Sequence, residues 1–206
     1  TADSLTTGDY NTAVGVHALS SEDVGRGTTA IGYQALYSQN SNSNDEETGN
    51  TGVGFQAGYY NVEGVDNTYL GYNAGYGASG QSNSDNVGIG KHSLYAITTA
   101  GSNVAIGRDA GIAVTSGGYN IMIGHASGDA MTDTTSTILI GTNAGGAINS
   151  TDANGTIAIG HSAGSSITDG RYNTIIGFEA GDSITQGDAS TIIGYQAGSA
   201  ITATGE

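Results

Sequence analysis

Cysteine, proline and tryptophan are absent from this sequence, and lysine and arginine together number four. Without cysteine there is no disulfide framework and no thiolate–zinc scaffold, and the redox compartment cannot be read. The four cations (Arg26, Lys91, Arg108, Arg171) stand against 19 acidic residues, for a formal net charge of −15. A nucleic-acid binder needs a basic stripe to displace counterions, and four scattered cations cannot form one. Neither nucleic acid nor an anionic membrane surface is therefore an expected partner. No apolar run is long enough to span a bilayer, so no membrane insertion is expected in this segment. No basic stretch followed by an apolar one opens the chain, so no signal peptide is visible.

Glycine, by contrast, is abundant, with 36 copies in 206 residues. Such a composition suits disorder unless the glycines are periodic, and here they are. Eleven follow an aliphatic residue: Gly15, Gly32, Gly54, Gly71, Gly90, Gly107, Gly124, Gly141, Gly160, Gly177 and Gly194. Their spacings are 17, 22, 17, 19, 17, 17, 17, 19, 17 and 17 residues. A near-constant period with small additions marks a solenoid, each addition being a loop on a constant coil.

Alignment on that glycine shows the constrained positions. The residue before it is always Val, Ile or Leu, and the third residue after it is Ala except for Ser93 and Ser127. The fourth after it is Gly, or Leu at 19, 36 and 94. The fourth before it is Asn, Thr or Ser. From the fifth copy a second aliphatic position stands seven after the glycine (Ile97, Val114, Met131, Ile148, Ile167, Ile184, Ile201), where the earlier copies carry Glu22, Gln39, Asn61 and Ala78.

The β-branched residues before the glycine predict a short strand that the glycine ends. The aliphatic–Thr pair further on predicts a second strand, and the Gly/Asn/Asp/Ser stretch a return turn. No segment sustains helical periodicity. The expected fold is all-β: a parallel β-solenoid (β-roll) of about eleven 17-residue coils over residues 1–206. It has a Tyr-rich N-terminal part (10–95) and a regular C-terminal part (96–206). Coils stack about 4.8 Å apart, so equivalent asparagines can bond along the stack.

Alternation assigns the residue before the glycine, such as Ile140 or Ile159, to the interior and the middle strand residue to the outside. The outside would then carry Met122, Leu139, Ile175 and Ile192, an apolar column expected to form an interface between copies of the chain. The threonines three before the glycine (Thr12, Thr29, Thr51, Thr68, Thr174, Thr191) give way to Val or Ile in copies five to nine. That places them inside and argues against an ice- or polysaccharide-binding threonine array.

The motif N-x-[VAI]-[IV]-G-x-x-[AS]-[GL], best seen in NVAIGRDAG (103–111) and TIAIGHSAG (156–164), resembles the head repeats of YadA-like trimeric autotransporter adhesins. NTAVGVHAL (11–19) and TTAIGYQAL (28–36) are similar to related repeats of phage tail-fibre proteins. The resemblance runs from about residue 11 to the end. It implies a left-handed β-roll, homotrimeric, on a cell or virion surface. The period of 17 is longer than that of the adhesin repeat, so a wider coil must be accommodated. Neither a heptad stalk nor an anchor barrel is present, so the resemblance is to a segment of such proteins.

Chemistry is weakly signalled. Ile-Gly-rich segments resemble a phosphate loop, but that loop needs a following helix, and the motif recurs eleven times without one. His17, His92, His125 and His161 occupy variable positions without a recurring carboxylate or serine partner, so no catalytic residues are assigned. The acidic loop 41–49 holds Asp45, Glu46 and Glu47 and is read as solvated, because a Ca²⁺ site needs six or more converging oxygens. No metal and no cofactor are expected.

Eight of the twelve tyrosines lie between residues 33 and 95. Tyr33, Tyr37, Phe55, Tyr59, Tyr72 and Tyr76 are expected to face outward. With neighbouring Asn and Gln they suit flat contacts with a cell-surface glycan or a protein receptor. The expected function is a non-enzymatic, extracellular fibre module for adhesion or receptor binding. The alternative is a purely structural shaft.

Overall fold

The computed structural model describes residues 1–42 and 47–199. Eleven strands of three residues each form one parallel sheet in sequential order. They are β1 (Thr12–Val14), β2 (Thr29–Ile31), β3 (Thr51–Val53), β4 (Thr68–Leu70), β5 (Val87–Ile89), β6 (Val104–Ile106), β7 (Ile121–Ile123), β8 (Ile138–Ile140), β9 (Ile157–Ile159), β10 (Thr174–Ile176) and β11 (Thr191–Ile193). Each strand pairs residue for residue with the next, as in Ile121↔Ile138, Met122↔Leu139 and Ile123↔Ile140. The chain thus makes one coil per repeat, and the solenoid rises roughly 50 Å over its eleven strands at the usual strand spacing.

Among the described residues the expected second strand does not form. The segment after each glycine is a run of turns, although backbone bonds continue the stack there, as from Ala96 N to Ile112 O (3.0 Å). Three residues per coil adopt left-handed φ, which bends the chain without extended structure. In the coil of Gly90 these are Asp85, His92 and Leu94, with φ of 61°, 58° and 51°. Leu19 and Leu36 adopt the same conformation where other coils have glycine, so a buried leucine there accepts backbone strain in exchange for apolar contact. The repeat glycine has another reason. At Gly141 φ is 133°, and a Cβ would collide with the carbonyl oxygen of Gly160 in the next coil, so the ladder itself excludes a side chain. The sole helix among the described residues is the 3₁₀ turn Thr151–Ala153, within a 19-residue coil.

The two faces of the strand are the reverse of the sequence expectation. The middle residue points inward: Met122, Leu139 and Ile175 are fully buried and Ile192 nearly so. The residues on either side, such as Ile138 and Ile140, are half-buried and face outward. Met122, Leu139, Ile175 and Ile192 therefore belong to the coil's own core and are not an outward interface column. Parity was ambiguous because copies six to nine are apolar at all three strand positions. The ladder residue four before the glycine resolves it: Asn103 and Asn120 are fully buried and share a face with the middle residue.

The interior is closed by the small residues three after the glycine and by Ile97, Val114, Met131, Ile148 and Ile167. Beside them runs the asparagine ladder. Asn67 Oδ1 accepts from Asn86 N and Nδ2 (both 3.1 Å). Asn86 Oδ1 does the same for Asn103 (both 3.1 Å). Asn103 Nδ2 also donates to Gly117 O (2.9 Å), tying strand entry to the turn that leads into the next coil.

In the first three coils the position seven after the glycine is interior but polar. Glu22, Gln39 and Asn61 are fully buried. Glu22 Oε1 accepts from Gly25 N (2.7 Å), and its Oε2 accepts from Ser41 Oγ (3.0 Å). The apolar core is accordingly split into a small cluster around Leu19 and Leu36 and a long one from Ala57 onward.

Candidate ligand-binding face

Both corners that follow the repeat glycine turn side chains outward. The residue directly after it stands on one column, where Tyr33, Phe55 and Tyr72 are 44%, 39% and 48% exposed. The residue five after it stands on a second column with Tyr37, Tyr59, Tyr76 and Tyr95. All six aromatic residues singled out from sequence thus fall into two adjacent ladders.

Within each ladder the rings stack. Tyr33–Phe55 and Phe55–Tyr72 centroids lie 5.2 and 5.0 Å apart. Tyr37–Tyr59, Tyr59–Tyr76 and Tyr76–Tyr95 lie 5.0, 5.3 and 5.2 Å apart, with interplanar angles of 16° or less. The coil rise sets this spacing, because equivalent residues repeat once per strand. Phe55 and Tyr59 consequently have both ring faces covered by neighbours. What they offer a ligand is an edge, not the flat face the sequence suggested.

Tyr60 packs edge-on against Tyr59 (4.5 Å) and Tyr76 (5.2 Å). Partial burial, followed by the neighbouring Tyr60, pushes the Tyr76 phenol up to about 12, and burial raises that of Tyr59 as well. The hydroxyls of Tyr59 and Tyr76 therefore stay neutral further into alkaline solution than a free tyrosine would. Between the two ladders, Gln56 Nε2 donates to Gln34 Oε1 (2.8 Å), a side-chain amide pair bridging coils. The face thus combines stacked apolar bodies with hydroxyl and amide rims.

Other sequence candidates disperse. His17, His125 and His161 are exposed. His92 is brought to Asp109 of the next coil, Nδ1 to Oδ1 3.3 Å, a pairing that sequence inspection missed because the partners are 17 residues apart. The Ser93 hydroxyl donates to Gly90 O (3.1 Å) instead of facing that pair. In the acidic loop Glu47 is exposed, while Asp45 and Glu46 lie outside the described residues, as does Ile201. Among the described residues, no group of three or more His, Asp or Glu is placed to hold a metal ion, and no helix is long and apolar enough to cross a membrane.

The threonine column is also corrected. Thr29, Thr51 and Thr68 face outward and pair directly with one another across β2–β4, because they flank the buried middle residue. The ground for setting aside a threonine array is thereby removed. Farther along the sheet, the same outward column becomes Val87, Val104, Ile121, Ile138 and Ile157, beside Ile89, Ile106, Ile123, Ile140 and Ile159. The outer sheet face is therefore aliphatic on both columns from β5 to β9.

Comparison of the chain with family models, curated proteins and solved structures gives no significant match.

Proposed function

We propose that the chain is a non-enzymatic fibre module on a cell or virion surface, a stiff rod whose aromatic face mediates adhesion or receptor binding. The observation that carries this reading is the pair of outward ladders, the exposed Tyr33–Phe55–Tyr72 and the half-buried Tyr37–Tyr59–Tyr76 ending in the exposed Tyr95, on a coil already closed by its own core. Large aromatic residues left outside a satisfied interior are the kind that dominate contact surfaces. A rigid scaffold also holds them at low entropic cost to binding. Left-handed winding and assembly into a homotrimer belong to the same proposal, by resemblance to the adhesin repeats. The charge-free outer sheet face of β5–β9 supports association in a chain that otherwise carries a charge of −15.

The structural-shaft reading has an observation of its own, since rings that cover each other's faces also protect the rod. The two are separated by replacing Tyr33, Phe55 and Tyr72 with Ser. These side chains are outside the core, so circular dichroism should be unchanged. Loss of attachment to the target surface supports adhesion. Attachment that persists unaltered leaves the shaft.

A further inference from the structure

The column of residues directly after the repeat glycine changes character abruptly past Tyr72. Its next members are Lys91, Arg108 and His125, one per coil. Two of the four basic residues of the chain thus stand on consecutive coils, in register through the β5–β6 pairing. Like charges about one coil apart repel, so this placement does nothing for the fold by itself.

Neither cation is fully neutralised. Lys91 is exposed and makes no ion pair among the described residues; its Nζ lies 5.8 Å from the Tyr72 ring centroid. Arg108 bonds Asp109 Oδ2 through Nε (3.0 Å), leaving the outer edge of its guanidinium open on a side chain 63% exposed. Asp109 is shared between Arg108 and His92. Asp129, whose carboxyl is raised by burial, lies near His125. Arg171, by contrast, sits between Asp152 (3.0 Å) and Asp188 (3.9 Å).

We propose that Lys91 and Arg108, with Tyr72 beside them, bind a linear carboxylated polysaccharide lying along the rod. The inference rests on the adhesive reading and names its ligand class. An open guanidinium edge suits a carboxylate bidentately, whereas an ammonium meets one as a point charge. A polyuronate carries one carboxylate per sugar, and Lys91 and Arg108 offer it one cation on each of two consecutive coils. Elsewhere the field of an acidic chain repels anions, which confines such a ligand to this stretch. Oligomerisation would present several copies of a weak site and raise avidity.

The test is titration calorimetry of the full chain with oligogalacturonate at low salt, in parallel with its carboxyl-reduced neutral form. Saturable binding of the acidic oligomer alone is expected, weakening as salt rises. It should fall at least tenfold in K91Q/R108Q, whose circular dichroism stays that of the parent. Absence of binding at millimolar oligomer, equal binding of the neutral form, or binding unchanged in the double variant would each overturn it. Surface attachment that remains sensitive to the Tyr33, Phe55 and Tyr72 replacements in those cases would leave the adhesive reading standing.

Discussion

The ring of Tyr69 fills the space that a side chain on Gly88 would need. A Cβ at Gly88 would lie 2.9 Å from Tyr69 Cδ1, and the two residues are directly paired between β4 and β5. On the other side Tyr69 pairs with Gly52. One large side chain in the inward column is thus offset by glycine on the following coil, while the space at Gly52 is taken by Leu36, a complementarity that keeps the interior close-packed.

Gly88→Ala should accordingly destabilise the rod by about 1–3 kcal/mol, the usual cost of overpacking. Combining it with Tyr69→Leu should cost less than the sum of the two single changes, because the smaller side chain frees the space. Denaturant unfolding of the four members of the cycle gives the coupling. Simple additivity would show that the two sites do not share volume.

Tyr69 also governs alkaline stability. Its hydroxyl donates to Asn83 Oδ1 and reaches Asn67 Oδ1 (3.3 Å), and full burial raises its phenol far above the usual tyrosine range. The unfolded chain would ionise near pH 10 while the folded one holds the proton. Stability from this group is therefore complete below pH 10 and declines as pH rises above it. Urea midpoints measured from pH 8 to 11 should fall beyond pH 10. In Tyr69→Phe the fall should be shallower, on a baseline lowered by about 1–3 kcal/mol for the unsatisfied amides.

The facing of the strands predicts a contrast between neighbours. Leu139→Asp places a carboxylate in a fully buried site without a cation and should cost several kcal/mol or abolish folding. Ile140→Asp, one residue on and facing outward, should leave the isolated coil folded. Thermal unfolding of both distinguishes them. Equal damage from the two would mean that the outer face is as dry as the core.

Much of this fold was legible from periodicity alone. Gly141 and its ten equivalents marked the coil, and the Asn column marked a hydrogen-bonded stack. The direction of the strands was not, because Ile138, Leu139 and Ile140 are all apolar and alternation fixes a face only when the two differ in polarity. The packing compensation between Tyr69 and Gly88 was not legible either, because the two residues are far apart in sequence and meet only through the pairing of β4 with β5. At the candidate site the six aromatic positions were readable as outward, since they stand at corners. Their mutual stacking was not, because it depends on the coil rise. The burial of Glu22 was not legible for a related reason: the donors that satisfy it come from its own turn and from Ser41 on the next coil.

The asparagine ladder should be sensitive to the loss of one rung. Asn103→Ala removes the acceptor for Asn120 N (3.0 Å) and the donor to Gly117 O (2.9 Å), both buried. A loss of about 2–5 kcal/mol is expected from two unsatisfied backbone groups. Asn103→Thr should cost less, since Thr156 at the equivalent position donates to Gly170 O (3.0 Å). Chemical denaturation ranks the variants. A ranking with alanine equal to threonine would show that water replaces the missing partners.

Association through the outer sheet face can be tested with residues the rod already tolerates. Threonine occupies the first outward column in β1–β4, β10 and β11, whereas Ile121, Ile138 and Ile157 occupy it in β7–β9. Replacing those three with Thr keeps the β-branched shape the strand favours and removes apolar area from the one stretch that is aliphatic on both outward columns. The coil should stay folded by circular dichroism, while light scattering should report a shift from oligomer toward monomer. Because the interior column is untouched, unfolding of the monomer cannot account for such a shift. A wild-type chain that is monomeric at high micromolar concentration would sink the association outright. An oligomer that survives the triple change would not depend on that column.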